Sequence, residues 1–394
     1  MADPLISFVA SVAILLIVAR KDLSLALVSG ALFLGLATLA PDAAAKTIAG
    51  ALVTPEYLYL SFAMALFPVL GALLQHAGGL DTLVESIHIG KKAFMAGAAA
   101  LIGMLPVPGG ALLSAPLVKK AAEGVDNETS FAINIWFRHV LILIYPLSPA
   151  LIVPASIASI SVYKAIPYLF PFFLLMCALG YVFLLRGIGG DSSKKGIDIK
   201  RLRAPLGILL MAPAIDGLGS HLVRSAPSEA ITLVAVSSSV LAAIAWSKIG
   251  KGDLWKASWG AKPYRFFFII MSMYVFIDVF AASGVGERIG GLSLPTFVHC
   301  VVIGFALALA TGRTQLSASV VIPTYVATSG QMAPHLFALT FVSIFLGYVL
   351  SPLHPCISVS LEYFKTPLDR ALARLAPMTL IALGITAAAY LVLI

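Results

Sequence analysis

Pro106-Val-Pro-Gly-Gly-Ala-Leu-Leu-Ser-Ala-Pro116 interrupts a stretch that is otherwise apolar on both sides. The arms, Phe94–Leu105 and Ala111–Ala122, are each about a dozen residues long. A helix needs about 20 residues to cross a hydrocarbon core, so neither arm can cross alone. The spacing predicts a re-entrant hairpin over about 94–122, two short helices that dip in and return. Unwound backbone at membrane depth persists only where protein buries it or a polar cavity accepts it. The tip, with Gly109 and Gly110, is therefore a candidate site.

Such a hairpin needs a membrane around it. Only 11% of the residues are charged and the mean hydropathy is +1.00, which excludes a soluble globule. Ten apolar runs read as crossings, at about 5–19, 22–40, 57–77, 131–157, 166–185, 204–222, 228–247, 264–283, 335–361 and 371–393. A second pair of short arms, about 295–310 and 314–329, predicts a second hairpin. The N-terminus lacks the basic region of a signal peptide, so the first run reads as a retained helix.

The net charge of +8 reflects loop bias, and no nucleic-acid partner is expected. With the N-terminus outside, 20 of the 26 basic residues fall in cytoplasmic loops, and Lys46, Lys164, Arg224 and Arg288 fall outside. Arg138 and Arg313 lie within or between membrane segments. The bias holds only if both hairpins return to their own side. Both termini are then outside, in the inner membrane of the cell.

The polar, glycine-rich stretch 187–203 divides the chain into 1–186 and 204–394, each with five crossings and one hairpin. An odd number of crossings gives the halves opposite orientation, the plan of inverted-repeat transporters. A gap-free shift of 203 residues places Gly109 on Gly312, Ser114 on Ser317, and Leu147-Ser148-Pro149 on Leu350-Ser351-Pro352. The Ser-Pro matches lie inside two spanning segments, 131–157 and 335–361. Closely spaced prolines there predict discontinuous helices with free backbone groups at the midplane. The fold class expected is an all-α membrane protein of about ten transmembrane helices and two re-entrant hairpins.

Arg313, flanked by Thr311, Thr314 and Gln315, is an ionisable residue at membrane depth and its fork suits a carboxylate. Gly312, Thr314, Ser317, Ser351 and His354 complete the candidate substrate-binding set with Gly109, Gly110, Ser114 and Ser148. Arg138 and His139 form a candidate positive entrance. Asp278 and Asp216 are candidate ion-coupling carboxylates, and Asp278 is alternatively a partner for Arg313. Three cysteines without motif spacing argue against a disulfide framework and against a zinc site, and no cofactor is expected beyond Na+ or H+ as coupling ion.

The two-fold plan of hairpin and broken helix resembles the ion-transporter superfamily of secondary carriers, which includes dicarboxylate, citrate and gluconate carriers. Leu105-Pro-Val-Pro-Gly-Gly-Ala-Leu-Leu-Ser-Ala-Pro116 resembles the signature of an uncharacterised integral-membrane family of archaea and bacteria. The resemblance implies a dimerising scaffold and a transport domain moving as an elevator. The tips Pro-Val-Pro-Gly-Gly and Thr-Gly-Arg-Thr-Gln differ from the Ser-Asn-Thr tips of sodium-coupled dicarboxylate carriers. The expected function is secondary active transport of a small organic anion coupled to protons or sodium. The alternatives are a sodium/proton antiporter using Asp216 and Asp278, a channel, and an intramembrane aspartyl protease built on the same pair.

Overall fold

The computed structural model describes residues 2–79, 82, 86–88, 90–104, 110–189, 196–223, 225–290 and 294–393. The chain is helical apart from a two-residue antiparallel ladder that pairs Ile87–His88 with Gly196–Ile197. In the first half, α1 (Pro4–Val18), α2 (Leu23–Thr38), α3 (Pro41–Val53) and α4 (Pro55–His76) come first. Then follow α5 (Lys91–Gly103), α6 (Gly110–Ala121), α7 (Asn127–Val140), α8 (Pro149–Ile157) and α9 (Val162–Gly180). The second half runs through α10 (Ile199–Leu222), α11 (Ser228–Ser247), α12 (Lys251–Gly260), α13 (Pro263–Ala282) and the short α14 (Val285–Gly290). It closes with α15 (Gly304–Thr311), α16 (Thr314–Ser329), α17 (Pro334–Leu350), α18 (Pro355–Phe364) and α19 (Leu368–Leu393).

Local chemistry sets many of these starts. Proline occupies the first turn of α1, α3, α4, α8, α13, α17 and α18, where its fixed φ fits and its missing N–H costs nothing. Asp3, Asp22, Asp126 and Asp198 cap α1, α2, α7 and α10 through their carboxylates. The cap at Asp198 starts α10 inside what the sequence presents as linker. α3 and α12 are short helices in connections where the apolar pattern gives no crossing.

Seven described helices are long and apolar enough to span a bilayer unaided, the 31-residue Pro334–Phe364 among them. α1 and α2 are apolar but have 15 and 16 residues, and 127–157 is split into α7 and α8. Ile6, Phe62, Leu174, Val234 and Leu241 are each half exposed or more. That surface is a lipid-facing one for a multi-pass membrane protein.

The helices pack in two groups. α1–α4 associate with α10–α13, most closely where α4 meets α11 and α2 meets α13. The hairpin arms, broken helices, α9 and α19 form the other group, with α15 against α17 and α5 against α7. A shift of 203 residues carries α4 from 55–76 to 258–279, against α13 at 263–282, and α7 from 127–140 to 330–343, against α17 at 334–350. Each half thus gives its first four helices to one group and its later helices to the other.

Candidate functional site: a cavity where four helices begin

At the second expected hairpin two helices meet at a tight turn. A π-helical turn, Val298–Ile303, leads into α15, and Gly312 then takes the left-handed conformation with φ 63°. Arg313 is extended and α16 begins at Thr314. A Cβ on Gly312 would lie 2.7 Å from the His354 nitrogen and the Leu353 carbonyl carbon, so this tip is seated on the second helix break. The Ser351 hydroxyl joins them by donating to the Leu309 carbonyl at 2.7 Å. At the first hairpin, residues 105–109, Gly109 included, lie outside the described residues, and Gly110 opens α6.

The two breaks are not superposable by the 203-residue shift. In the first, the chain leaves α7 through a 3-10 turn, Leu141–Leu143, and restarts at Pro149 with Ser148 as N-cap. In the second, α17 runs on to Leu350 and the restart waits until Pro355, with His354 as N-cap. The unwound stretch therefore precedes the Ser-Pro pair in one half and follows it in the other. Pro355 allows this, because it offers a second favourable first-turn proline three residues beyond Pro352.

These ends converge on a cavity of about 580 Å3. Ala111, Pro149 and Ala150, Gln315, and Pro355 and Cys356 line it, so four helices, α6, α8, α16 and α18, begin at its wall. α8, α16 and α18 have no side-chain cap on their free N–H groups. Each helix start carries roughly half a positive charge, but the last turns of α5, α7, α12 and α17 also line the cavity at Gly103, His139, Gly260 and Tyr348 and offset it, so the helix ends leave little net charge. Arg138, Lys262 and Arg265 line the same cavity, and no carboxylate does among the described residues. The side-chain charge at the cavity is positive, which suits a small anion and opposes a free cation.

Arg138 is buried at the end of α7 and donates to the Ser114 hydroxyl at 3.3 Å. Its position depends on close backbone approach, since a Cβ on Gly103 would stand 1.8 Å from the Arg138 carbonyl oxygen.

The other sequence candidates separate into groups. Ser148 lines the cavity. Ser114, Ser317, Thr314 and Ser351 are buried but serve local bonds as well: Ser317 to the Arg313 carbonyl at 3.1 Å, Thr314 to Gln315 at 3.2 Å. Arg313 does not line the cavity, although Gln315 beside it does. Among the described residues Arg313 forms no ion pair. Asp278 is not its partner, because that carboxylate accepts from the Tyr57 hydroxyl at 3.0 Å.

Asp216 belongs to a second cavity of about 300 Å3, at which α9 and α11 begin. It accepts from Tyr163 at 2.8 Å and Thr232 at 2.6 Å, and Glu229, Ser156, Ser159, Ser161, Ser220 and Ser228 share the lining. This space is acidic and rich in hydroxyls, the reverse of the first.

A pair of histidines meets the larger cavity, His139 in its lining and His354 beside it. His139 and His354 have ring centroids 4.7 Å apart, and Tyr348 lies 3.9 Å from His354. With Cys356 they bring three metal-type ligand atoms within 4.8 Å of one another, a grouping that sequence spacing does not reveal. Arg138 alongside, and the His139 Nδ1 bond to the Ile135 carbonyl, oppose a cation there.

The sequence marks Arg138 and His139 as an entrance, but Gln315, Tyr348 and Cys356 carry no signal of their own. Lys262 and Arg265 read as ordinary loop charges. Only the fold brings them to the cavity.

Comparison with solved structures finds the same architecture in the YdaH transporter of Alcanivorax borkumensis, at 14% identity and a TM-score of 0.64. The match covers 98% of this chain and 97% of that one. No curated protein matches the sequence. Residues 3–393 match the family described as a protein of unknown function (DUF401), and the chain belongs to that family.

Proposed function

We propose that this protein is a secondary active transporter of a small organic anion of the carboxylate type. The observation that carries the reading is the cavity at which four helix starts, Arg138, Lys262 and Arg265 meet without a carboxylate among the described lining residues. An anion there satisfies N–H groups that have no side-chain cap and offsets mutually repelling charges. Arg313, Ser114, Ser148, Thr314, Ser317 and Ser351 hold the hairpins and breaks around it. Gly260, Ala261, Lys262 and Arg265 line the cavity, and the charge bias assigns this turn to the cytoplasm, so the reading takes this conformation as inward-facing.

Movement follows from the packing. The second tip is seated on the second break, so hairpins and broken helices travel as a body against the group formed by α1–α4 and α10–α13. In this reading the two halves are inverted repeats and the motion is of the elevator kind. A proton or sodium ion couples it, and a homodimer in the inner membrane, with both termini outside, forms the static part.

A second reading, sodium/proton exchange, is favoured by the hydroxyl-rich cavity at Asp216, with Asp278 as a further carboxylate. Proteoliposomes separate the two. Anion transport gives saturable counterflow of a labelled carboxylate, whereas exchange gives sodium-evoked proton efflux with no organic substrate present. Efflux without counterflow would overturn the first reading.

A further inference from the structure

We propose that the buried pair His139–His354 carries the coupling proton, taking it up when an anion enters the adjacent cavity. This rests on the anion reading above. His354 is fully buried and, among the described residues, neither of its ring nitrogens makes a well-formed hydrogen bond, only an approach to the Tyr348 backbone, an arrangement that folded proteins avoid unless a ligand or proton completes it. His139 is fixed differently. Its Nδ1 lies 2.6 Å from the Ile135 carbonyl, which can only accept, so Nδ1 bears hydrogen and Nε2 keeps a lone pair. The pair thus offers a proton site on each side of the ring contact.

The surrounding groups make that site answer to the cavity. Arg138 is adjacent on α7, Tyr348 packs on both rings from α17, and Cys356 approaches from α18. Arg313 on the second tip acts on Tyr348, and Lys262 and Arg265 face the cavity from the α12–α13 turn. No carboxylate is among these groups. A proton on either ring therefore adds positive charge with nothing to balance it until an anion arrives. Binding of the two is then mutually favourable, which is the thermodynamic content of symport. Asp278 and Asp216 differ, since hydroxyls already bond them: Tyr57 bonds Asp278 within the opposite helix group, and Thr232 of that group and Tyr163 of α9 bond Asp216.

The test is calorimetric titration of the detergent-purified protein with succinate at pH 8, where the ligand is fully ionised, in buffers of different ionisation enthalpy. The slope gives protons taken up per anion. About one is expected for the native protein, and close to none for His354→Gln and His139→Gln with succinate still bound. Asp278→Asn should keep the native value. Unfolded variants are set aside by their melting temperatures, and two independent histidine variants guard against the loss of one. Succinate binding without proton uptake, or uptake that survives both histidine changes and disappears in Asp278→Asn, overturns the assignment. Absence of binding by succinate, acetate and sulfate alike would instead remove the anion reading, and this inference with it.

Discussion

Replacing Gly312 by alanine tests whether the second hairpin tip is truly seated on the second helix break. Two costs add. The left-handed backbone at φ 63° costs a Cβ-bearing residue about 1–2 kcal/mol. The new methyl would also meet Leu353 and His354 backbone at 2.7 Å, well inside ordinary contact, and neither neighbour is a side chain that can swing away. Overpacking of this kind costs about 1–3 kcal/mol, for a total of about 2–5 kcal/mol. Gly78 supplies the internal control: its φ is 66°, yet nothing lies within 4 Å of where its Cβ would be. Gly78→Ala should show the backbone cost alone, so the difference between the variants isolates the seating, about 1–3 kcal/mol. Reversible unfolding in mixed micelles measures both. Gln315 lines the cavity three residues beyond Gly312, so the seated variant should also lose anion-induced stabilisation. Equal losses in the two variants would refute the seating argument.

Three further outcomes are expected. Arg138→Gln removes a cavity cation and should weaken anion binding by about 1.5–3 kcal/mol, read as a 10- to 150-fold rise in Kd by calorimetry. Ser351→Ala should cost about 1 kcal/mol in unfolding experiments, because it strips a 2.7 Å, part-buried bond from the Leu309 carbonyl. Asp126, in the turn before α7, has burial working against its charge. Hydrogen bonds from the Thr129 N–H and hydroxyl, with Arg374 nearby, nevertheless hold its carboxyl below the ordinary range. Its stabilising effect is thus present above the unfolded value of about 3.9 and is lost as pH falls through the folded value. Asp126→Ala should lower stability by about 1 kcal/mol at pH 7, and the gap should close with acidification in melting scans.

Much of this organisation was legible in the letters, for identifiable reasons. Proline and glycine act locally, so the breaks at Pro149 and Pro352–Pro355 and the turn at Gly312 announce themselves. The 203-residue offset is likewise read from punctuation, Gly109 against Gly312 and Ser148-Pro149 against Ser351-Pro352. What the letters hide depends on tertiary placement. The shift aligns Ser148 with Ser351, yet the caps are Ser148 and His354, because the second break restarts one proline later. Arg313 is conspicuous as a charge in an apolar stretch but stands off the cavity, whereas Lys262 and Arg265 are inconspicuous and line it. His139 and Cys356 are 217 positions apart, so only folding reveals their proximity. α3 and α12 were not foreseen, since short connecting helices leave no spanning apolar run.

The central claim, a site built for an anion, is tested most directly by thermal stabilisation of the purified protein against a panel of small carboxylates and oxyanions, at constant sodium, pH and ionic strength. A saturable rise in melting temperature with at least one carboxylate is expected, shifted to about 10- to 150-fold higher ligand concentration in Arg138→Gln and reduced in Lys262→Gln and Arg265→Gln. A rise that depends on the cation alone, or one that survives all three substitutions unchanged, would contradict it.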